Sequence, residues 1–388
     1  MQEDFHYYAT YSAAYLAGYT HEECMDICYS AQLVDLCSRT FLSKLKAPLS
    51  AATTQLQLEM MEIKGDTVGL QDITRIWSSF HFLPYNLNAD VEGSKTYKNK
   101  YRLICDTNSD LMVDTVKLAK DKSLQAVGIA MHVLADTWAH RYFAGTPSIV
   151  INNTNSHFYE LVPEGGDFKK RKISFVHSLG KPDDFENGIY TNTIFQLNEN
   201  SIMSLGHGRA GHLPDYSFAR YVYLPAWGNY AEIIKDNPKD YFYAYTQMIC
   251  AMKYLKGVTD DFDRDVYDTD AVSDFEEEIK GILEKRQLIA CDDWKAFAEK
   301  LSGKIIDDFE LERYSEEYIQ ASDSQKDDTF LGQFILAALR QKSMVTNKIF
   351  RSGNKLAGYS VDYKKQGFKG IKDFMKLIKK DTAGDEKD

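Results

Sequence analysis

Within the apolar run AVGIAMHVLADTWAHRYF lie two histidines and an aspartate, His132, Asp136 and His140. Burying such groups costs several kcal/mol unless a partner offsets the loss of water. Positions i, i+4 and i+8 of a helix advance by only about 40° per step, so the three side chains share one face. Their backbones spread over about 12 Å along the axis, too far for one ion of roughly 2 Å bond length to hold both imidazoles. Two divalent ions, one near each histidine with the central carboxylate reaching toward both, fit this spacing. Paired ions of that kind clamp the attacking and leaving oxygens in phosphoester hydrolysis.

Each ion needs three or four ligands, and four other places in the chain could supply them. Asp4 and His6 stand in EDFHYY, ahead of the first helix. Asp35 lies on the apolar face of Cys24, Cys28 and Ala31, where an unpaired carboxylate is costly. His81 is wrapped in aromatics in WSSFHFLPYN, and GHGRAGHLPD offers His207, His212 and Asp215 on a glycine-rich loop able to approach an ion closely. Helix capping by Asp4 and aromatic packing by His81 are the alternatives for those two residues. His21, His157 and His177 have polar neighbours and read as surface residues.

Helices must position these groups, because helical periodicity dominates the chain. One is expected over 7–17, and Thr20 with Glu23 forms a capping box for the next. Others are expected at about 50–64, 108–121, 123–143 and 238–255. Between 145 and 225, Gly, Pro, Asn and Asp recur, and IVINN, KISFVHS and IYTNTIFQL read as short extended pieces. So long an irregular stretch is expected to line a functional surface. From 257 to 330 the composition turns acidic, with helices expected around 271–286, 292–304 and 311–320. A buried helix FLGQFILAALRQKSMVTNKIF follows, and KKQGFKGIKDFMKLIKK ends the chain as a basic amphipathic segment. The expected division is a helical domain over 1–255 and an acidic helical extension over 256–388.

The ordered set His6, Asp35, His81, HVLADTWAH and a late histidine with an acid resembles the zinc-dependent phospholipase C and P1 nuclease superfamily. The spacing of HVLADTWAH looks especially like the catalytic domain of glycosylphosphatidylinositol-specific phospholipase D. DFHYY and AQLVDLCS also look like an uncharacterised bacterial family of this kind. The resemblance covers about residues 1–250. It implies an all-α, phospholipase C/P1 nuclease-like helical bundle with long irregular loops and a C-terminal helical extension. It also implies two or three zinc ions: one held by Asp35, His81, His132 and Asp136, and a second by His140 with His212 and Asp215, where His207 could replace one of them. A third would lie near His6 with Asp136 bridging. Relatives use a processed N-terminal amine there; with no signal peptide in this sequence, the role would fall to Asp4, or the third site would be weak or absent.

The implied activity is hydrolysis of a phosphodiester or phosphomonoester, of phospholipase C type. The alternatives are a nucleotide phosphatase or single-strand nuclease, or a non-catalytic metal-stabilised scaffold. Asp35, Asp136 or Asp4 could accept the proton, and Arg141 or Arg209 could neutralise phosphoryl charge. The net charge of −11 disfavours duplex nucleic acid. The acidic start and the absence of a long apolar run suggest a cytoplasmic protein. The lysine-rich segment 364–380 could lie on an anionic membrane. No HD dipeptide, G-x-S-x-G, zincin or Walker A motif is present.

Overall fold

The computed structural model describes residues 1–61, 67–155, 157–173, 175–176, 189–190 and 204–358. Most of them are helical, and the helix Leu124–Ala139 runs through the middle of the core. Every residue from Gln125 to Ala139 is buried, as expected of a helix that is apolar nearly all round. The helices His21–Leu36, Asp110–Ala119, Asn237–Lys256 and Phe330–Arg351 pack around it. Gly128 sets the closest of these contacts. A Cβ there would stand 2.4 Å from the Ile27 carbonyl oxygen and 2.6 Å from Ser30 Cβ, so only glycine admits the His21–Leu36 helix at this separation.

The capping box is formed as expected: the Glu23 amide donates to Thr20 Oγ1 and the Thr20 amide to Glu23 Oε2. Ahead of the helix Thr10–Leu16, residues Asp4–Ala9 wind into a wider π-helical turn. Of the helix expected over 50–64, the structure shows a short turn at Leu49–Ala51 and a helix Gln57–Met61 with no helix between them, and residues 62–64 lie outside the described residues. A helix not expected from the sequence, Thr67–Phe80, delivers His81 at its end.

The chain is not purely α-helical. Four antiparallel strands pair in the order Asp167–Lys172, Phe158–Glu164, Arg220–Tyr223, Ile233–Asp236. Gly165 and Gly166, at φ +63° and +93°, make the two-residue turn of the first hairpin, which needs positive φ at both positions. Part of the supposedly irregular 145–225 stretch is therefore sheet. Of the short extended pieces expected there, IVINN contains the helical turn Ile149–Asn152. Phe175–Val176 and Ile189–Tyr190 pair as short parallel strands, Lys172 ends the strand Asp167–Lys172, and residues 174, 177–178 and 191–197 of those pieces lie outside the described residues.

Residue 255 does not divide the core. Phe262, Val272, Trp294, Phe297 and Phe334 pack into the same cluster as Phe5, Leu33 and Leu134, so the acidic segment covers the bundle as part of it. The basic segment 364–380 lies outside the described residues. Among the described residues, no helix is long and apolar enough to cross a membrane.

Candidate metal centre

The end of the Thr67–Phe80 helix, which carries His81, and three further pieces of backbone converge on the last turns of the Leu124–Ala139 helix. His132 and Asp136 lie inside it, and His140 caps its C-terminus. The His21–Leu36 helix, admitted by Gly128, brings Asp35. The π-helical turn brings His6, whose ring stacks on that of His132 at 3.8 Å between centroids. The loop 204–215 brings His207 and Asp215.

The hydrogen bonds of the imidazoles fix which nitrogens face the centre. His132 Nδ1 lies 2.9 Å from the Ala31 carbonyl oxygen, and His81 Nε2 lies 3.1 Å from that of Thr53. His140 Nδ1 lies 2.8 Å from the His81 carbonyl oxygen, and His207 Nδ1 lies 2.6 Å from that of Gly211. A carbonyl can only accept, so each of these nitrogens donates, and a neutral ring then keeps a lone pair on its other nitrogen. Metal-binding histidines are oriented in this way.

The lone pairs point at one another. His132 Nε2 and His81 Nδ1 are 3.3 Å apart, and each is 3.2 Å from Asp136 Oδ2. Asp35 Oδ1 completes the group at 3.7 Å from His81 and 3.8 Å from His132. A tetrahedral ion with bonds of about 2.0–2.1 Å has ligand–ligand edges of about 3.3–3.4 Å, so the donors of His81, His132 and Asp136 are spaced as such an ion requires, with Asp35 somewhat farther out. Beside them, His140 Nε2 is 3.2 Å from Asp215 Oδ1 and His207 Nε2 is 3.6 Å from Asp215 Oδ2.

His6 joins from the other side of Asp136, with Nε2 3.2 Å from Oδ1 and 3.9 Å from Asp35 Oδ2. Its ring is fully buried, and neither nitrogen has a hydrogen-bond partner among the described residues. An orphaned buried polar group costs about 1–3 kcal/mol, and a cation at this point would remove that cost. Burial pushes His6 and His207 down to about 4, so both are neutral and able to offer lone pairs. Three groups of side chains thus bring ligand atoms close enough to hold a metal ion: His6, Asp35 and His132; His81, His132 and Asp136; His140, His207 and Asp215.

Burial alone would raise the two inner carboxyls. The ring of His140, the Met1 ammonium and the rings of His132 and His6 outweigh it at Asp136, and the His207 ring, the same ammonium and the hydrogen bond from His212 outweigh it at Asp215. Both are held well below the usual carboxylate range. The Met1 α-amine lies 2.7 Å from Asp136 Oδ1, 3.3 Å from His140 Nε2 and 3.5 Å from Asp215 Oδ1. The resemblance gave the place of the relatives' N-terminal amine to Asp4, but it is the Met1 α-amine that stands beside Asp136.

Three expectations need correction. Asp4 does not join the cluster: its carboxylate accepts the amides of Phe5 at 2.8 Å and Ala290 at 2.9 Å, and burial raises its pKa to about 6. His212 stands outside the three groups. Its side chain is half exposed and donates from Nδ1 to Asp215 Oδ2 at 3.1 Å, while His207 takes the inner place. Arg141 is committed to Asp106 at 3.1 Å and Asp240 at 3.3 Å, with its guanidinium over the Tyr142 ring, which removes it as a ready partner for phosphoryl charge. Arg209 is buried in the same loop as His207.

The fold and this cluster define a mostly helical protein with histidine–aspartate groups that could hold metal ions. The chain belongs to a family of unknown function, DUF6765, whose model matches residues 1–349 and so runs across residue 255. No curated protein and no solved structure matches it.

Proposed function

We propose that this protein is a zinc-dependent phosphoester hydrolase related in mechanism to the phospholipase C and P1 nuclease superfamily. The observation that carries the reading is the convergence of four carbonyl-oriented imidazoles and three carboxylates, with lone pairs facing lone pairs. Nitrogen and carboxylate donors at tetrahedral spacing suit zinc better than calcium or magnesium, which favour oxygen ligands at higher coordination number. Bound there, divalent cations would supply Lewis acidity toward a phosphoryl oxygen.

The chain's own residues divide the remaining work. Asp136 is buried and presents one oxygen to His81 and His132 and the other to His6, which makes it the bridge. Asp35 keeps 28% of its side chain exposed, so it is the carboxylate of the cluster that can take up a proton and pass it to solvent. Phe82 stacks on His140 at 4.7 Å and Trp77 leans on His81 at 4.9 Å, walling these imidazoles from water.

The test is to assay the zinc-loaded protein with a bis-aryl phosphate, a phosphocholine ester and short single-stranded DNA. Hydrolysis of at least one, abolished by a chelator and restored by zinc, is expected. A protein that binds zinc stoichiometrically and cleaves none of the three would instead be a metal-stabilised scaffold.

A further inference from the structure

The two flanks of Asp136 are built differently. His132 and Asp136 are inside a hydrogen-bonded helix, and Asp35 lies on another helix packed tightly against it. His140 follows the last helical turn, and His207 and Asp215 lie on a loop of short turns. The carbonyls at the end of a helix lack partners within it, so something else must fix that end.

Residues 235–241 do so for both pieces at once. Lys235, on the strand Ile233–Asp236, is 1% exposed, and its Nζ donates to the Trp138 carbonyl at 3.0 Å and to Asp240 Oδ2 at 2.5 Å. Trp138 lies two residues before His140. Asn237 is fully buried, and its Nδ2 donates to the carbonyls of Leu213 and Tyr216 at 2.8 Å each, with that of Pro214 at 3.4 Å. The Tyr241 hydroxyl donates to the Pro214 carbonyl at 3.1 Å. These acceptors flank Asp215 on both sides. An ammonium and an amide N–H placed in the core are costly unless bonded, and here Lys235 donates to the Trp138 carbonyl and Asp240 while Asn237 donates to the backbone around Asp215.

We propose that Lys235, Asn237 and Tyr241 are positioning residues that assemble the His140–His207–Asp215 subsite, so that loosening them empties this subsite and leaves the Asp35–His81–His132–Asp136 subsite loaded. The inference rests on the metal reading given above. Residues that hold a metal ligand in place are typically worth about 10–100-fold in affinity, and one hydrogen bond about fivefold. The other subsite gains nothing from these three residues, because its ligands are held by helix packing and by the carbonyls of Ala31 and Thr53.

The experiment titrates the full-length, metal-stripped protein with cobalt(II), read by visible absorption, with the folded fraction matched by circular dichroism. Wild type is expected to show two classes of site. Lys235→Met and Asn237→Ala should weaken one class by about 10–100-fold and leave the other unchanged. Tyr241→Phe keeps the ring, reports even if the other two fail to fold, and should weaken the same class by about fivefold. Variants that weaken both classes together, or neither, overturn the proposal. A wild-type protein that takes up no cobalt fails the metal reading itself, which separates the two failures.

Discussion

Asp136→Ala is expected to lose the divalent metal held with His81 and His132 and to lower phosphoesterase turnover by at least ~100-fold, beyond the upper range for residues that merely support a ligand. The reason is position. One carboxylate oxygen sits 3.2 Å from both His81 Nδ1 and His132 Nε2, and the other sits 3.2 Å from His6 Nε2. Asp35 also faces these three rings but stands farther off, at 3.7 Å, 3.8 Å and 3.9 Å. Asp136→Asn sharpens the test. Its amide would place N–H donors against imidazole lone pairs, satisfying them without a cation, so this variant should also lose that metal yet fold well in the metal-free state. Elemental analysis of the purified variants, with urea unfolding of the metal-free forms, measures both effects. Wild-type metal content in either variant would contradict the bridging role.

The second large effect is expected far from any ligand. In Gly128→Ala the new Cβ would meet Ile27 O at 2.4 Å, Ser30 Cβ at 2.6 Å and Ala31 N at 3.0 Å. These are atoms of the facing helix and cannot give way singly. The two helices must separate, at about 1–3 kcal/mol for overpacking of this kind. Separation carries the Ala31 carbonyl away from His132 Nδ1 and Asp35 away from His81 and His132. A misplacement of about 1 Å is worth on the order of 10²-fold in a catalytic constellation. The variant is therefore expected to melt several degrees lower, at roughly 2–4 °C per kcal/mol, and to bind metal more weakly. Wild-type melting and metal affinity together would show that the helices do not rely on this contact.

Much of the centre was legible in the sequence because it depends on helical spacing. His132, Asp136 and His140 declare themselves by falling on one face of an apolar helix, and Asp35 by interrupting the apolar face of another. What spacing cannot reveal is the direction of a loop. GHGRAGHLPD offers two histidines, and the choice of His207 over His212 follows from how Asn237 and Tyr241 hold Leu213, Pro214 and Tyr216. Asp4 misled for a related reason: its partner is the amide of Ala290, in a segment that composition had set apart as an extension.

The hairpin of Phe158–Glu164 and Asp167–Lys172 was hidden by its chemistry. Lysines and an arginine fill its second strand because that strand is an exposed sheet edge, where charge guards against edge-to-edge pairing. The alternation expected of a half-buried strand is therefore absent. Similarly, the acidic residues between 257 and 330 suggested a separate unit, but the intervening Phe262, Trp294 and Phe297 are buried in the main core. Surface charge reports what faces water, while domain boundaries depend on what does not.

The most direct test is anomalous X-ray diffraction from crystals of the zinc-loaded protein, measured on both sides of the zinc absorption edge. The account predicts at least two anomalous peaks separated by Asp136, one among His81, His132 and Asp35 and one among His140, His207 and Asp215. Zinc bound only elsewhere on the molecule, or no peak at either position after loading, would contradict it.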